Sequence, residues 1–159
     1  MGQINVFTGS GHGKTPAAVG EALMRVAGGD NVVIIQFLKG KGLIDSELLN
    51  KLEPQLRIFR FEKSDSNFDK LNKSQQDEEI INIKNGLNFA RKVLATGQCD
   101  LLILDEILGI VDNGILKVAE LKEMLSSRPD SMDVIMTGIK LDDEILDIAD
   151  NVSSISNIK

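Results

Sequence analysis

The chain has 159 residues, a length that suits one domain with an ordinary hydrophobic core, so we expect residues 1–159 to fold as a single domain. It carries 24 acidic residues against 18 Lys and Arg residues, and this net charge of -6 argues against a broad nucleic-acid or anionic-membrane surface. The single cysteine, Cys99, cannot form an intrachain disulfide, and no apolar run approaches the roughly 20 residues of a membrane span, so we expect a cytoplasmic protein.

Short apolar, β-rich runs alternate with helical patterns along the whole chain. Strands are predicted at 4–7, 32–37, 56–61, 101–104, 133–137 and 152–155, and helices at 15–27, 46–52, 74–95, 118–126 and 142–149. Several strand runs are continuously apolar, which is typical of strands buried on both faces of a parallel sheet. We therefore predict an open, doubly wound α/β domain with a mainly parallel sheet, whose ligand crevice lies at the carboxyl ends of the strands.

The first strand runs into a glycine-rich turn that opens the first helix, and we call residues 9–15 of this turn the phosphate loop. Its residues are Gly9, Ser10, Gly11, His12, Gly13, Lys14 and Thr15. The alternate glycines allow inward-facing N–H groups, Lys14 adds a mobile positive charge, and Thr15 offers a hydroxyl suited to Mg²⁺. The general pattern expects its first glycine at Thr8, so the match is incomplete. The sequence predicts nucleoside triphosphate binding here, and the alternative is a plain turn before a helix.

A second candidate site follows the fourth predicted strand, which ends in Asp105 and Glu106. Asp105 is predicted to hold Mg²⁺ or its water beside Thr15, and Glu106 to orient a second water or the substrate. The alternative is a solvated strand end. Cys99, just before the same strand, is predicted to be a half-buried packing residue and not a catalytic thiol.

The sequence resembles the ATP:cob(I)alamin adenosyltransferases of the phosphate-loop type over nearly its whole length. Besides the phosphate loop and Asp105-Glu106, the resemblance rests on Gln36-Phe37-Leu38-Lys39-Gly40 after the second strand. The remaining matches, in the family's order, are Ala17-Ala18-x-Gly20, Asp112-Asn113-Gly114, Arg128-Pro129, Thr137-Gly138 and Ala149-Asp150-x-Val152. The resemblance implies a phosphate-loop NTPase-like, RecA-like fold that serves as one nucleotide-binding domain.

The resemblance also implies the chemistry. ATP would be held so that its ribose C5′ is attacked by the reduced cobalt of a corrinoid, and triphosphate would leave. The implied catalytic residues are Lys14, Thr15, Asp105 and Glu106, with Mg²⁺ on Thr15 and Asp105 and with Phe68 against the corrinoid. A flavoprotein reductase and a second copy of the chain, in a homodimer, are the implied partners, with no nucleic acid and no membrane.

Several residues depart from the family pattern. Pro16 stands where the family has a threonine, His12 where it has a lysine, and Ile139 where an arginine follows Thr-Gly. Met24 takes another arginine position, with Arg25 next to it on a different face of the helix. The segment 64–72 keeps Phe68 but has no tryptophan, so Phe68 is either a corrinoid contact or an exposed loop aromatic.

These departures leave two functions open. The first is an adenosyltransferase that binds MgATP and transfers adenosyl groups weakly, and the short ends of the chain favour weak transfer as well. The second is a nucleotide-binding module that has lost transfer and acts as a sensor or carrier. An ordinary phosphoryl-transferring ATPase is disfavoured, because no residue is placed as a water-activating base. Further crevice candidates, each with a surface alternative, are Lys39, Lys41, Glu47 and Arg128.

Overall fold

The computed structural model describes residues 2–38, 43 and 46–159. Within these ranges the strands are β1 Ile4–Thr8, β2 Val32–Gln36, β3 Leu56–Arg60, β4 Leu101–Asp105, β5 Asp133–Thr137 and β6 Asn151–Ser154. The helices are α1 Lys14–Ala27, α2 Glu47–Asn50, α3 Lys73–Thr96, α4 Ile107–Asp112, α5 Val118–Ser126 and α6 Asp143–Ile148, with a 3-10 turn at Phe68–Lys70. Each predicted strand and helix is present, with ends that shift by at most a few residues.

The strands form one sheet in the order β3-β2-β4-β5-β1-β6, and every neighbouring pair is parallel. The prediction of a doubly wound, mainly parallel α/β domain is therefore confirmed. One strand, β5, separates β1 from β4, and this arrangement is that of a phosphate-loop NTPase-like fold. Because all strands run the same way, the segments that follow β1, β2 and β4 emerge at one edge of the sheet.

Helices cover both faces of the sheet. Ala18 and Ala22 of α1 pack with Leu49 of α2 on one face. On the other face, α3 contributes an apolar stripe, whose buried members are Ile83, Leu87, Ala90 and Leu94. All residues of β2 and β4 are buried, as their continuous apolar runs predict, whereas all four residues of the edge strand β6 are exposed.

Local signals set the ends of the longest helix. Asn72 caps α3 through a capping box with Gln75, and Gly97 ends it in a left-handed conformation with φ 64°. Cys99 follows, and burial raises the pKa of its thiol to about 11, in agreement with a packing role. In the described part of the chain, no helix is both long enough and apolar enough to span a membrane.

Helix α4 was not predicted. It starts at Ile107, immediately after the strand, without a side chain that caps its first turn. The chain makes this abrupt change at Glu106, whose φ of 65° lies in the left-handed region. Only Asp105 and Glu106 separate the apolar run of β4 from the short apolar run of α4, and no glycine, proline or capping side chain marks the start of the helix, so the sequence pattern did not indicate it.

Candidate functional site

The phosphate loop joins the end of β1 to the start of α1. Gly9 and Gly13 adopt φ values of 108° and 114°, a region that side chains other than glycine rarely occupy. A Cβ atom at Gly9 would also lie 2.3 Å from the carbonyl oxygen of Ile155. Both glycines are therefore required by the backbone path, as the motif indicates.

Lys14 folds back over the loop. Its residue is 9% exposed, and its Nζ donates a hydrogen bond to the carbonyl oxygen of Gly11 at 2.9 Å. The ammonium group thus lies at the centre of the loop, with a backbone carbonyl as its acceptor. An anion in the loop would be a stronger acceptor for the same group.

Residues 155–157 lie against the phosphate loop. The N–H of Gly11 donates to the Ile155 carbonyl oxygen at 2.9 Å, and the N–H of His12 donates to Asn157 Oδ1 at 3.3 Å. The Ile155 N–H in turn donates to the Thr8 carbonyl oxygen at 2.8 Å. Two loop donors are therefore satisfied by neutral oxygens that a phosphate could replace.

Asp105, at the end of β4, is the centre of a buried hydrogen-bond network and is 1% exposed. The Thr15 hydroxyl donates to its carboxylate, at 2.9 and 3.1 Å from the two oxygens. Gln36 Nε2 donates to Asp105 Oδ2 at 3.0 Å, and Thr137 Oγ1 donates to Asp105 Oδ1 at 2.7 Å. Thr15 and Asp105, predicted to be neighbours, are thus in direct contact.

Gln36 and Thr137 were not predicted as site residues. Their signal was present in the sequence, because each is the last residue of its strand and belongs to a motif of the resemblance, Gln36-Phe37 or Thr137-Gly138. Thr137 also accepts the Glu106 N–H at 2.8 Å, so one hydroxyl fixes both carboxylate residues. A polar residue at the end of a buried strand is therefore a sequence signal for a site residue.

The donor set is suited to Mg²⁺ shared with a ligand. Among the described residues, no group of three or more His, Cys, Asp or Glu side chains could enclose a metal ion. Mg²⁺ instead is commonly held by one or two protein oxygens together with substrate phosphates. The Thr15 hydroxyl directs its proton to Asp105 and keeps its oxygen lone pairs, so this pair fits such an ion.

A cavity of about 310 Å³ lies beside this network, where β2 and β4 end. Its lining includes Leu38, Phe68, Glu106, Gly109, Asp112 and Ile139. Phe68 is only 7% exposed and packs in the main core, so the alternative of an exposed loop aromatic is wrong. The 3-10 turn at Phe68–Lys70 carries this ring into the cavity wall.

Two arginines, Arg25 and Arg128, lie away from this edge. Arg25 pairs with Asp30 and with Asp133, the first residue of β5, so it is held at the amino edge of the sheet. Arg128 donates to the carbonyl oxygens of Gly2, Leu125 and Met132, next to the amino ends of β1 and β5. Neither arginine faces the phosphate loop. Glu47 begins α2 as an exposed residue, and Lys39 and Lys41 lie outside the described residues.

A buried carboxylate that was not predicted, Glu62, lies near the cavity. Its residue is 7% exposed, and Oε1 accepts the Leu38 N–H at 2.7 Å. Burial raises the pKa of Glu62 to about 7, the Leu38 hydrogen bond opposes this shift, and repulsion by Glu79 adds to it. The charge of Arg60 lowers the pKa by a smaller amount.

We expect Glu62 to make the protein less stable as the pH rises from about 4.5 to 7. In this range the folded state binds more protons at Glu62 than the unfolded state, so the free energy of unfolding falls by about 3 kcal/mol across it. Glu62→Gln removes this titration and should flatten the profile. Urea unfolding at several pH values measures it, and parallel profiles for wild type and variant would contradict the assignment.

Comparisons with known proteins place this geometry in a family. The model of the family described as "ATP:corrinoid adenosyltransferase BtuR/CobO/CobP" matches residues 1–159. The corrinoid adenosyltransferase of Escherichia coli (strain K12) is 33% identical over 158 residues, which cover 99% of this chain and 78% of that protein. The corrinoid adenosyltransferase CobA of Salmonella typhimurium has the same identity and coverage. The corrinoid adenosyltransferase of Pseudomonas aeruginosa is 23% identical, over 99% of this chain and 76% of its own length.

The matched residues include the phosphate loop, the Asp105 network and the cavity lining, and they cover every described strand and helix. The chain belongs to the ATP:corrinoid adenosyltransferase family.

Proposed function

We propose that the chain transfers the 5′-adenosyl group of ATP to the reduced cobalt of a corrinoid. The electron pair on cobalt forms the bond to C5′, the C5′–oxygen bond breaks, and triphosphate leaves with that bond's electrons. One observation carries the proposal. The hydrogen bond from Thr15 to Asp105 joins the phosphate loop to the strand whose next residue, Glu106, lines the cavity, so both substrates can meet at one edge of the sheet.

ATP is proposed to bind in the phosphate loop. Its phosphate oxygens would replace the Ile155 and Asn157 oxygens that now accept the Gly11 and His12 N–H groups. The Lys14 ammonium would exchange the Gly11 carbonyl oxygen for a phosphate oxygen. Charged acceptors make stronger hydrogen bonds than neutral ones, so this exchange favours the bound state. Residues 1–159 would then act as a single nucleotide-binding domain.

Mg²⁺ is proposed to bind at Thr15, with Asp105 as its negatively charged partner. Asp105 accepts a hydrogen bond from the Thr15 hydroxyl and so directs the lone pairs of that oxygen away from the carboxylate. When bound, the ion would neutralise charge on the departing triphosphate. Gln36 and Thr137 keep the carboxylate in place for this role.

The corrinoid is proposed to lie over the cavity. At about 310 Å³ the cavity is at the lower end of ligand-pocket volumes, so it would receive one face of a large ring and not enclose it. Phe68 and Leu38 supply an apolar wall that would keep water from the cobalt. Glu106 lines the same cavity and would orient a substrate group or a water there.

One proposed partner supplies electrons. Cobalt must be reduced before it attacks, and the predicted flavoprotein reductase would reduce it. The homodimer also stays a prediction. Because ATP is the adenosyl donor, we propose that the protein acts in the cytoplasm. The alternative of a sensor or carrier is not favoured, because the relatives of 33% identity are named adenosyltransferases.

The test is a spectroscopic assay of transfer with chemically reduced cobalamin and MgATP. Pro16 lies in the first turn of α1, beside the loop, and lacks both an N–H and a hydroxyl. We therefore expect a slow wild-type reaction that Pro16→Thr accelerates about tenfold, the effect of one restored hydrogen bond to a charged group. The visible spectrum of the cobalt–carbon bond measures the rate.

Pro129→Thr, the same change at the opposite edge of the sheet, is the matched control and should leave the rate unchanged. Equal fast rates in all three proteins would show that Pro16 does not limit transfer. MgATP binding without any transfer, in wild type and Pro16→Thr alike, would overturn the proposed reaction and favour a sensor or carrier.

A further inference from the structure

The cavity wall contains two strained backbone positions. Among the described residues other than glycine, positive φ values occur at Leu38, with φ 58°, and at Glu106, with φ 65°. Both residues line the cavity, and they follow the neighbouring strands β2 and β4. Left-handed residues of this kind cost about 1 kcal/mol or more and cluster at functional sites, where surrounding contacts hold them.

Each strained residue is held through its N–H by a buried side chain. Thr137 Oγ1 accepts the Glu106 N–H at 2.8 Å, and this hydroxyl already belongs to the Asp105 network. Glu62 Oε1 accepts the Leu38 N–H at 2.7 Å. The two cases are parallel in geometry, but Glu62 has no part in the proposed chemistry.

Glu62 lies in an unfavourable electrostatic environment. Its residue is 7% exposed, and Glu79 of α3, which is 6% exposed, repels it. Glu79 is itself held by the Lys63 N–H and by Asn82 Nδ2. The Arg60 guanidinium favours the charged form of Glu62, but it donates to the Ser64 carbonyl oxygen and lies 3.9 Å from Asp65. A carboxylate kept here at a cost to stability requires a structural reason.

The position of Leu38 supplies that reason. Its side chain packs on α4 so closely that a Cβ atom at Gly109 would lie 2.7 Å from Leu38 Cδ1. Without an acceptor for its N–H, Leu38 would relax toward the broad β region that L-residues prefer. The side chain would then leave Gly109, and the apolar wall of the cavity would open.

We propose that Glu62 is a positioning residue for corrinoid binding, which holds Leu38 in its left-handed conformation as a wall of the cavity. This inference rests on the proposed function, since the corrinoid is the ligand that the wall contacts. Glu62 acts on the corrinoid side alone. The phosphate loop is fixed by its own contacts, from Lys14 to Gly11 and from Thr15 to Asp105. Gln36 is fixed by ladders to both β3 and β4.

The experiment measures corrinoid and nucleotide binding separately. Equilibrium dialysis of hydroxocobalamin against the full chain with MgATP gives corrinoid affinity, and thermal shift gives MgATP affinity. We expect Glu62→Ala to weaken cobalamin binding about tenfold, as for the loss of one buried hydrogen bond, with MgATP affinity unchanged. Glu62→Gln keeps an oxygen acceptor for the Leu38 N–H and should bind cobalamin nearly as the wild type does.

Two further variants keep the test decisive. Leu38→Ala removes the apolar side chain of the wall directly and should weaken cobalamin binding as Glu62→Ala does. It therefore tests the wall even if Glu62→Ala folds poorly. Glu79→Gln changes the neighbouring buried carboxylate, which accepts from the Lys63 N–H and Asn82 Nδ2 while Glu62 accepts the Leu38 N–H, and it should bind cobalamin as the wild type does.

The outcomes separate the two proposals. If wild type binds no cobalamin, the proposed function and this inference both fail. If wild type binds cobalamin but Glu62→Ala and Leu38→Ala bind it equally well, only the inference fails. If Glu79→Gln loses as much cobalamin affinity as Glu62→Ala, Glu62 acts only through the stability of the fold, and the inference fails as well.

Discussion

Lys14→Ala is expected to abolish detectable MgATP binding while the fold stays intact. In the phosphate loop Lys14 is the one side chain with a permanent charge, and its Nζ lies at the loop centre, 2.9 Å from the Gly11 carbonyl oxygen. Two charge-assisted hydrogen bonds to a triphosphate, each of about 1.5 to 3 kcal/mol, correspond to a loss of affinity of at least roughly 100-fold. The fold loses only one hydrogen bond to a backbone carbonyl.

Thermal shift measures this loss. A ligand at about 100 times its Kd stabilises the native state by about 2.7 kcal/mol, so the Tm of wild type should rise with MgATP and that of Lys14→Ala should not. Lys122→Ala removes an exposed lysine of α5 that pairs with Glu144, and it is the matched control. If Lys14→Ala and wild type rise equally in Tm, the phosphate loop is not the nucleotide site.

The fold was readable from the sequence because its signals are local. Continuous apolar runs mark β2 and β4, and Gly97 marks the end of α3. Helix α4 was missed because no glycine or proline separates it from β4, and the break depends on the left-handed Glu106. An unusual φ at a residue other than glycine leaves no trace in composition or periodicity.

The candidate site was readable only where a motif marks it. Thr15 and Asp105 follow from their positions after β1 and β4, and they are in contact as expected. Glu62 belongs to no motif, and its contact with Leu38 spans 24 residues of chain, so only the folded structure brings the pair together. Long-range side-chain contacts of this kind depend on packing that the sequence does not spell out.

Helix geometry alone could have predicted that Arg25 lies far from the phosphate loop. It lies 11 residues after Lys14 in α1, which at 1.5 Å per residue places it about 16 Å along the helix from the phosphate loop. At that end of the helix it pairs with Asp30 and Asp133. The face on which an arginine lies therefore mattered less than its distance from the site.

Asp105 serves both the fold and the proposed metal, and a substitution must separate the two roles. Its carboxylate accepts hydrogen bonds from Thr15, Gln36 and Thr137 and is almost completely buried. Asparagine has the same size, but its NH₂ group would meet one of these three donors. We therefore expect Asp105→Asn to lower the free energy of unfolding by about 2 to 4 kcal/mol, whether or not Mg²⁺ binds.

The metal role predicts a second and larger effect of Asp105→Asn on nucleotide binding. ATP affinity with Mg²⁺ should fall on the order of 100-fold, because the negative charge beside Thr15 is lost, while ATP affinity in EDTA should change little. Isothermal titration with and without Mg²⁺ measures both values. Thr137→Val removes one donor to the carboxylate but keeps its charge, so it should destabilise the fold without a selective loss of Mg²⁺-dependent affinity. Equal losses with and without Mg²⁺ in Asp105→Asn would mean that Asp105 supports the fold of the site and not the metal.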